Sequence, residues 1–181
     1  MEDHLRVLAS ALLKRGAVLK GRFTLSSGRK SDIYVDARRL LGDPLTYTAV
    51  IDILLDVGGP HLRGADAIIG VATGGIPWAS LIASRLSKPI GYVRIEKKGH
   101  GTMGSVEGSP PTGKVVLVDD VATTGRSLAS ACRTLSSAGY TVTAALVIVD
   151  RGEGARERLR EAGVELVSVA HLSDILRILG W

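Results

Sequence analysis

Residues 115–128 read Val-Val-Leu-Val-Asp-Asp-Val-Ala-Thr-Thr-Gly-Arg-Ser-Leu. Four apolar residues in a row, three of them valine, make a short strand buried on both faces, as in a parallel sheet. Two carboxylates, Asp119 and Asp120, end it. Beyond the loop, Leu128, Ala129, Ala131, Cys132 and Leu135 recur with the spacing of one helix face. The stretch predicts a strand, a small-residue loop and a helix start, in that order.

That order has a chemical meaning. Backbone N–H groups of the loop and first helical turn converge with the positive end of the helix dipole, and a phosphate is their natural guest. Val121, Ala122, Thr123, Thr124, Gly125, Arg126 and Ser127 make up the loop. Thr123, Thr124 and Ser127 add hydroxyl donors, while Gly125 lets a ligand approach without a Cβ in the way. Asp119 and Asp120 cannot serve a phosphate, since like charges repel; they suit vicinal hydroxyls or a divalent cation. A helix cap alone needs only one Asp and no Thr-Thr-Gly. A ribose 5-phosphate has every part required.

From Asp66 onward the pattern alternates regularly. Strands are expected at 67–71, 90–94, 115–118, 141–149 and 164–170, with helices at 76–86, after the 119–127 loop, at 153–162 and at 173–179. The fold class is therefore α/β, a five-stranded parallel sheet with helices on both faces. In such sheets ligands bind beyond the carboxyl ends of the strands. Segments 72–75, 94–104, 119–127 and 150–152 all follow predicted strands and can converge on one site. Ahead of this core, Leu5, Leu8, Ala9, Leu12 and Leu13 have helical spacing, with Asp3 as N-cap and an end near Gly16. Short strands at 23–26 and 33–36 flank a turn at 27–30, and a second helix runs from Asp43-Pro44 to about Asp56, stopped by Gly58-Gly59-Pro60. Residues 1–60 form N-terminal helices and a small hood, and residues 61–181 the core.

A chain of 181 residues suits one domain. Its apolar fraction of 45% and charged fraction of 23% are ordinary for a globular protein, and no apolar run approaches the ~20 residues that span a membrane. Met-Glu-Asp-His lacks the features of a secretory signal, and the single Cys132 cannot form an internal disulfide. A cytoplasmic location and no membrane partner are expected. The net charge of +5 comes from dispersed residues, with two Trp, four Tyr and one Phe to stack on bases. That points to an anionic small substrate rather than to nucleic acid.

Residues 99–113 contain five glycines with Pro110 and Pro111 and no apolar periodicity, which predicts a mobile surface loop. Gly99-His100-Gly101-Thr102-Met103-Gly104 satisfies the G-x-G-x-x-G pattern, but Gly108, Pro110 and Pro111 follow where a dinucleotide site needs a helix, so NAD binding is excluded. Arg94, Lys97, Lys98 and His100 instead form a basic lid over residues 95–113, suited to departing phosphates and to keeping water out. Ala72-Thr73-Gly74-Gly75-Ile76-Pro77 repeats the strand-loop-helix logic, with amides for a pyrophosphate and Pro77 fixing the next helix start.

The strand, the two acidic residues and the loop ending in Thr-Gly resemble the signature of the type I phosphoribosyltransferases. By that resemblance Asp119 and Asp120 hold the ribose hydroxyls of phosphoribosyl pyrophosphate (PRPP), and residues 122–127 its 5′-phosphate. The segment Gly21-Arg22-Phe23-Thr24-Leu25-Ser26-Ser27-Gly28-Arg29-Lys30-Ser31, with Tyr34-Val35-Asp36, is similar to the N-terminal part of orotate phosphoribosyltransferases. Arg94-Ile95-Glu96-Lys97-Lys98-Gly99-His100-Gly101 is similar to their catalytic loop, and Val149-Asp150-Arg151 to their motif after the next strand.

The resemblance implies the type I phosphoribosyltransferase fold and the reaction of orotate with PRPP to give orotidine 5′-monophosphate and pyrophosphate, in pyrimidine biosynthesis. It implies Mg2+ arriving with PRPP, with Asp119 and Asp120 the carboxylates available to it. It further implies a homodimer in which loop 94–104 completes the neighbour's site. Lys98, His100, Asp119 and Asp120 fall at catalytic positions. Arg94, Lys97, Lys98, His100, Thr73, Gly74 and Gly75, with residues 119–127, fall at PRPP-binding ones. Thr123, Arg151 and Ser26 face orotate. Arg151 has an independent rationale, since a guanidinium pairs bidentately with the orotate carboxylate. Ser26, Gly74 and Ile95 stand where many members carry lysine. A purine phosphoribosyltransferase would share the loop and fold but has little use for Arg151. A PRPP-sensing regulator that binds nucleic acid would need no catalytic lid.

Overall fold

The computed structural model describes residues 2–24, 28–95 and 105–181. In chain order the elements are α1 (Glu2–Lys14), β1 (Val18–Thr24), β2 (Lys30–Val35), a 3-10 turn (Ala37–Gly42), α2 (Pro44–Val57), α3 (Gly59–Gly64), β3 (Ala67–Val71), α4 (Gly75–Leu86), β4 (Ile90–Val93) and β5 (Val106–Glu107). Then follow β6 (Lys114–Ala122), α5 (Arg126–Ser137), β7 (Thr141–Asp150), α6 (Ala155–Glu161), β8 (Glu165–His171) and α7 (Leu172–Leu179).

The sheet has six strands in the order β5-β4-β3-β6-β7-β8. Five are parallel, as expected; the sixth, β5, runs antiparallel to β4 through Tyr92↔Glu107 and Val93↔Val106. It corrects the reading of residues 99–113 as loop throughout. Val106 packs against the apolar layer under α5, and the buried Tyr140 hydroxyl donates to the Pro110 carbonyl at 2.8 Å. Glycine and proline content hid an edge strand of two residues, too short to show any periodicity.

The alternation of side chains across the sheet explains the near-continuous apolar runs. Val116 and Val118 join one buried cluster with α1, α2, α4 and α7, whereas Val115 and Leu117 join the other with α5 and α6. Asp119 continues the second series and Asp120 the first, so the two carboxylates face opposite sides of the sheet. β6 also runs further than expected, to Ala122, because β7 keeps pairing with it through Asp119↔Val147, Val121↔Val149 and Ala122↔Asp150. Its pairing with β3, however, ends at Gly70↔Val118, which leaves the β3 side open beyond that point.

The hood is the antiparallel hairpin β1-β2, longer than the strands expected at 23–26 and 33–36. Asp3 lies inside α1 rather than capping it. Asp43 does cap α2, accepting from Thr46 N at 2.8 Å, and Gly58 ends that helix before α3 starts at once at Gly59, with Pro60 in its first turn. α6 begins at Ala155, so Glu153 belongs to the turn after β7. No helix among the described residues is long and apolar enough to cross a membrane.

Candidate active site

Two adjoining cavities lie at the carboxyl ends of β3, β6 and β7. The smaller, about 130 Å3, is lined by Asp119 and by residues 121–128. The larger, about 370 Å3, is lined by Tyr34, Val35, Asp36 and Arg38 from the hood side, Thr73 and Gly74, Asp119, Asp120, Val121, Thr123, Ser127 and Arg151. Asp119, Val121, Thr123 and Ser127 line both. Predicted site residues from three separate segments, 73–74, 119–127 and 151, are thus brought together.

The small cavity is shaped by the start of α5. Gly125 takes φ 71°, the left-handed region, and a Cβ there would lie 2.8 Å from the Ala155 Cα, so glycine is required twice over. Its carbonyl accepts from Ala129 N at 2.9 Å, opening the helix. From α6, Arg158 donates to the Thr124 carbonyl and ties the loop from behind. Arg126, Ser127 and Leu128 of the first helical turn line this cavity with Thr123 and Thr124, and the N–H groups of a first turn, which lack intrahelical acceptors, are able to serve an anion.

Asp119 Oδ1 accepts from Asp120 N at 2.9 Å, and Asp120 Oδ1 accepts from Val121 N at 2.8 Å. Each carboxylate is thereby oriented by the next residue's backbone. Burial, and then the neighbouring charge of Asp120, hold the Asp119 carboxyl well above the usual aspartate range. Burial also raises Asp120, against the opposing effects of the Val121 N–H and Arg38. Two adjacent, desolvated carboxylates await hydroxyl donors or a cation. Among the described residues no cluster of three or more His, Cys, Asp or Glu can hold a metal ion.

Gly75 sits where β3 turns into α4. A Cβ there would lie 2.1 Å from the Val118 carbonyl, so only glycine lets this turn press against β6 beside Asp119. The Ala72–Thr73 peptide is cis. The turn presents backbone amides and no cationic side chain to the larger cavity.

Arg151 follows β7, its N–H bonded to the Ala122 carbonyl at 2.9 Å. Its side chain is only 5% exposed. Nε donates to Glu153 Oε1 at 2.8 Å, Nη2 to Ser31 Oγ at 3.0 Å and Nη1 to the Ile33 carbonyl at 3.2 Å. The guanidinium both lines the cavity and joins the hood to the core. Glu153 lies only two residues away in the chain, but nothing in the sequence links Ser31 or Ile33 to Arg151. Tyr34, Asp36 and Arg38 are likewise cavity residues to which sequence reasoning gave no role.

Arg94 lines neither cavity. It lies at the end of β4, 3.8 Å from Glu107 and over the Tyr92 ring. Ser26, Lys97, Lys98 and His100 lie outside the described residues.

Residues 45–172 match the family model of the phosphoribosyl transferase domain. The chain is 62% identical over 180 residues to an orotate phosphoribosyltransferase of Aeropyrum pernix, covering 99% of this chain and 97% of that relative. The crystal structure of an orotate phosphoribosyltransferase from Aeropyrum pernix is similar with a TM-score of 0.92 at 63% identity, over 96% of this chain and 98% of that one. The Mycobacterium tuberculosis orotate phosphoribosyltransferase, in a complex with PRPP, is similar with a TM-score of 0.72 at 27% identity, over 95% of this chain and 98% of that one. With the carboxylate pair, the loop that opens α5 and Arg151 gathered at one end of such a sheet, the chain belongs to the orotate phosphoribosyltransferases of the phosphoribosyl transferase family.

Proposed function

We propose that this chain transfers the 5-phosphoribosyl group of PRPP to orotate, giving orotidine 5′-monophosphate and pyrophosphate for pyrimidine nucleotide synthesis. The observation that carries the reading is the adjacency of the Asp119-Asp120 pair, the 121–127 anion loop and the Arg151 guanidinium around one pair of cavities.

Ribose sits with its 2′- and 3′-hydroxyls donating to Asp119 and Asp120, and its 5′-phosphate in the loop of Ala122 to Ser127 at the start of α5. The pyrophosphate on C1 takes the amides of Thr73, Gly74 and Gly75. As the bond from C1 to pyrophosphate breaks, positive charge develops on the ring, and the two carboxylates lie near enough to favour it. A ring nitrogen of orotate then releases its proton and bonds to C1, while Arg151 and Thr123, with Ser26, face the base. Mg2+ bound with PRPP would neutralise charge on the pyrophosphate, and Asp119 and Asp120 are the carboxylates of the larger cavity that would approach it. Lys98 and His100, with Arg94 and Lys97, act on the pyrophosphate from the lid. A homodimer in which this lid serves the neighbouring site is supported by the position of Arg94, which lines neither of the two cavities described above. A reducing cytoplasm suits the buried Cys132 thiol, which burial pushes up to about 11 and so keeps unreactive.

The deciding experiment incubates the protein with PRPP, Mg2+ and each of orotate, adenine, hypoxanthine and uracil, following loss of base and release of pyrophosphate. Orotate alone should be consumed. Consumption of a purine and not orotate would overturn the assignment. Mixing inactive Asp120→Ala and Lys98→Ala subunits should restore part of the activity if the lid acts on the neighbour.

A further inference from the structure

Arg38 lies in the 3-10 turn after β2 and lines the larger cavity together with Thr73, Gly74 and Asp120. Its Nε donates to Asp36 Oδ1 at 2.7 Å, yet the side chain remains 58% exposed. Among the described residues, Asp36 is the one hydrogen-bond partner of this guanidinium, which leaves its Nη groups for a ligand. Arg151, the other arginine in the lining, differs: it is buried, neutralised by Glu153, and uses all three of its nitrogens on protein acceptors. The described lining also carries three carboxylates, Asp36, Asp119 and Asp120. An anion entering here meets repulsion from those carboxylates and finds its spare cationic donors on Arg38.

The stereochemistry of PRPP selects which anion that is. Its pyrophosphate leaves C1 on the same face of the ribose ring as the 2′- and 3′-hydroxyls. A ribose held by those hydroxyls on Asp119 and Asp120 must therefore carry its pyrophosphate close to the carboxylates, whereas the base approaches C1 from the opposite face. Arg38 is close enough to Asp120 for their charges to interact, and Gly74 abuts the same carboxylate. The Thr73-Gly74 turn supplies amides only. A planar guanidinium is suited to the paired oxygens of phosphate groups.

We propose that Arg38 binds the pyrophosphate of PRPP, screening it from the Asp119-Asp120 pair and stabilising it as it leaves C1. The inference rests on the transfer reaction proposed above, but its central test needs no base. Binding of PRPP and of ribose 5-phosphate, each with Mg2+, is measured by calorimetry for the native protein, Arg38→Ala and Arg38→Lys. Loss of a charge-assisted hydrogen bond should weaken PRPP about tenfold in Arg38→Ala. Ribose 5-phosphate, which lacks the pyrophosphate, should bind as before, and Arg38→Lys should recover part of the loss. In the reverse reaction the KM for pyrophosphate should rise with the KM for orotidine 5′-monophosphate unchanged. Equal losses for PRPP and ribose 5-phosphate would make Arg38 a support of the ribose cradle and overturn the proposal. So would an effect on orotate alone, or no effect at all. A native protein that binds PRPP yet ignores orotate would refute the assigned base and leave the binding comparison to judge Arg38.

Discussion

Replacing Arg151 by alanine should loosen the hood as well as weaken the base site. The guanidinium is 5% exposed and Glu153 17%, and the side chain makes three hydrogen bonds, two of them to β2. Removing one partner of a buried ion pair strands the other, at a cost of ~3–5 kcal/mol. Arg29 Nη1 lies 3.7 Å from Glu153 Oε2 and can take up part of the stranded charge, so the lower end, about 3 kcal/mol, applies. For a protein of this size each kcal/mol lowers Tm by ~2–4 °C, giving a fall of about 6–12 °C. Ser31→Ala should cost less, ~1 kcal/mol, as one neutral hydrogen bond does. Thermal unfolding gives the magnitudes, limited proteolysis reports whether the β1-β2 hairpin opens first, and orotate KM reports the site. A double-mutant cycle with Glu153→Gln should return a coupling above ~1 kcal/mol. If Arg151→Ala melts with the native protein and its hairpin is cut no faster, the argument for a hood tie is refuted, whatever happens to orotate.

Three further outcomes are expected. Arg158→Ala should raise the KM for PRPP severalfold and leave that for orotate unchanged, because it frees the Thr124 carbonyl behind the phosphate loop; equal effects on both would show a general loss of structure. Gly75→Ala should fail to give native circular dichroism, since its Cβ would lie 2.1 Å from the Val118 carbonyl; a folded, active variant would contradict the packing described. The folded Asp119 carboxyl is raised above its ordinary value of 3.8, so the folded protein binds more protons than the unfolded chain between those two values. Stability of the unliganded protein should therefore fall as pH rises through that window and stay lower above it. Asp119→Asn should flatten that part of the slope in urea unfolding measured across pH; an unchanged slope would refute the burial argument.

Much of the core could be read along the chain because its signals are local. Val115 to Val118 is apolar at every position because β6 is covered on both faces, and the Thr-Thr-Gly loop needs Gly125 for a left-handed φ that few other residues adopt. The edge strand β5 escaped because two residues carry no period, and what holds them lies at Val93 and Tyr140. Arg38 escaped for a similar reason: an arginine in a short turn is unremarkable until the turn is set against Asp120 and Gly74.

The sequence by itself determined the alternation of the five parallel strands with helices, the glycine-containing loop that opens α5 and the identity of the acidic pair, since each follows from residues within a few positions of one another. Only the tertiary structure decided where β6 parts from β3, how Gly75 closes on the Val118 carbonyl and how Arg151 reaches Ser31 and Ile33. Those are contacts across dozens of residues, fixed by the packing of sheet, helices and hood. Local propensity carries no record of them.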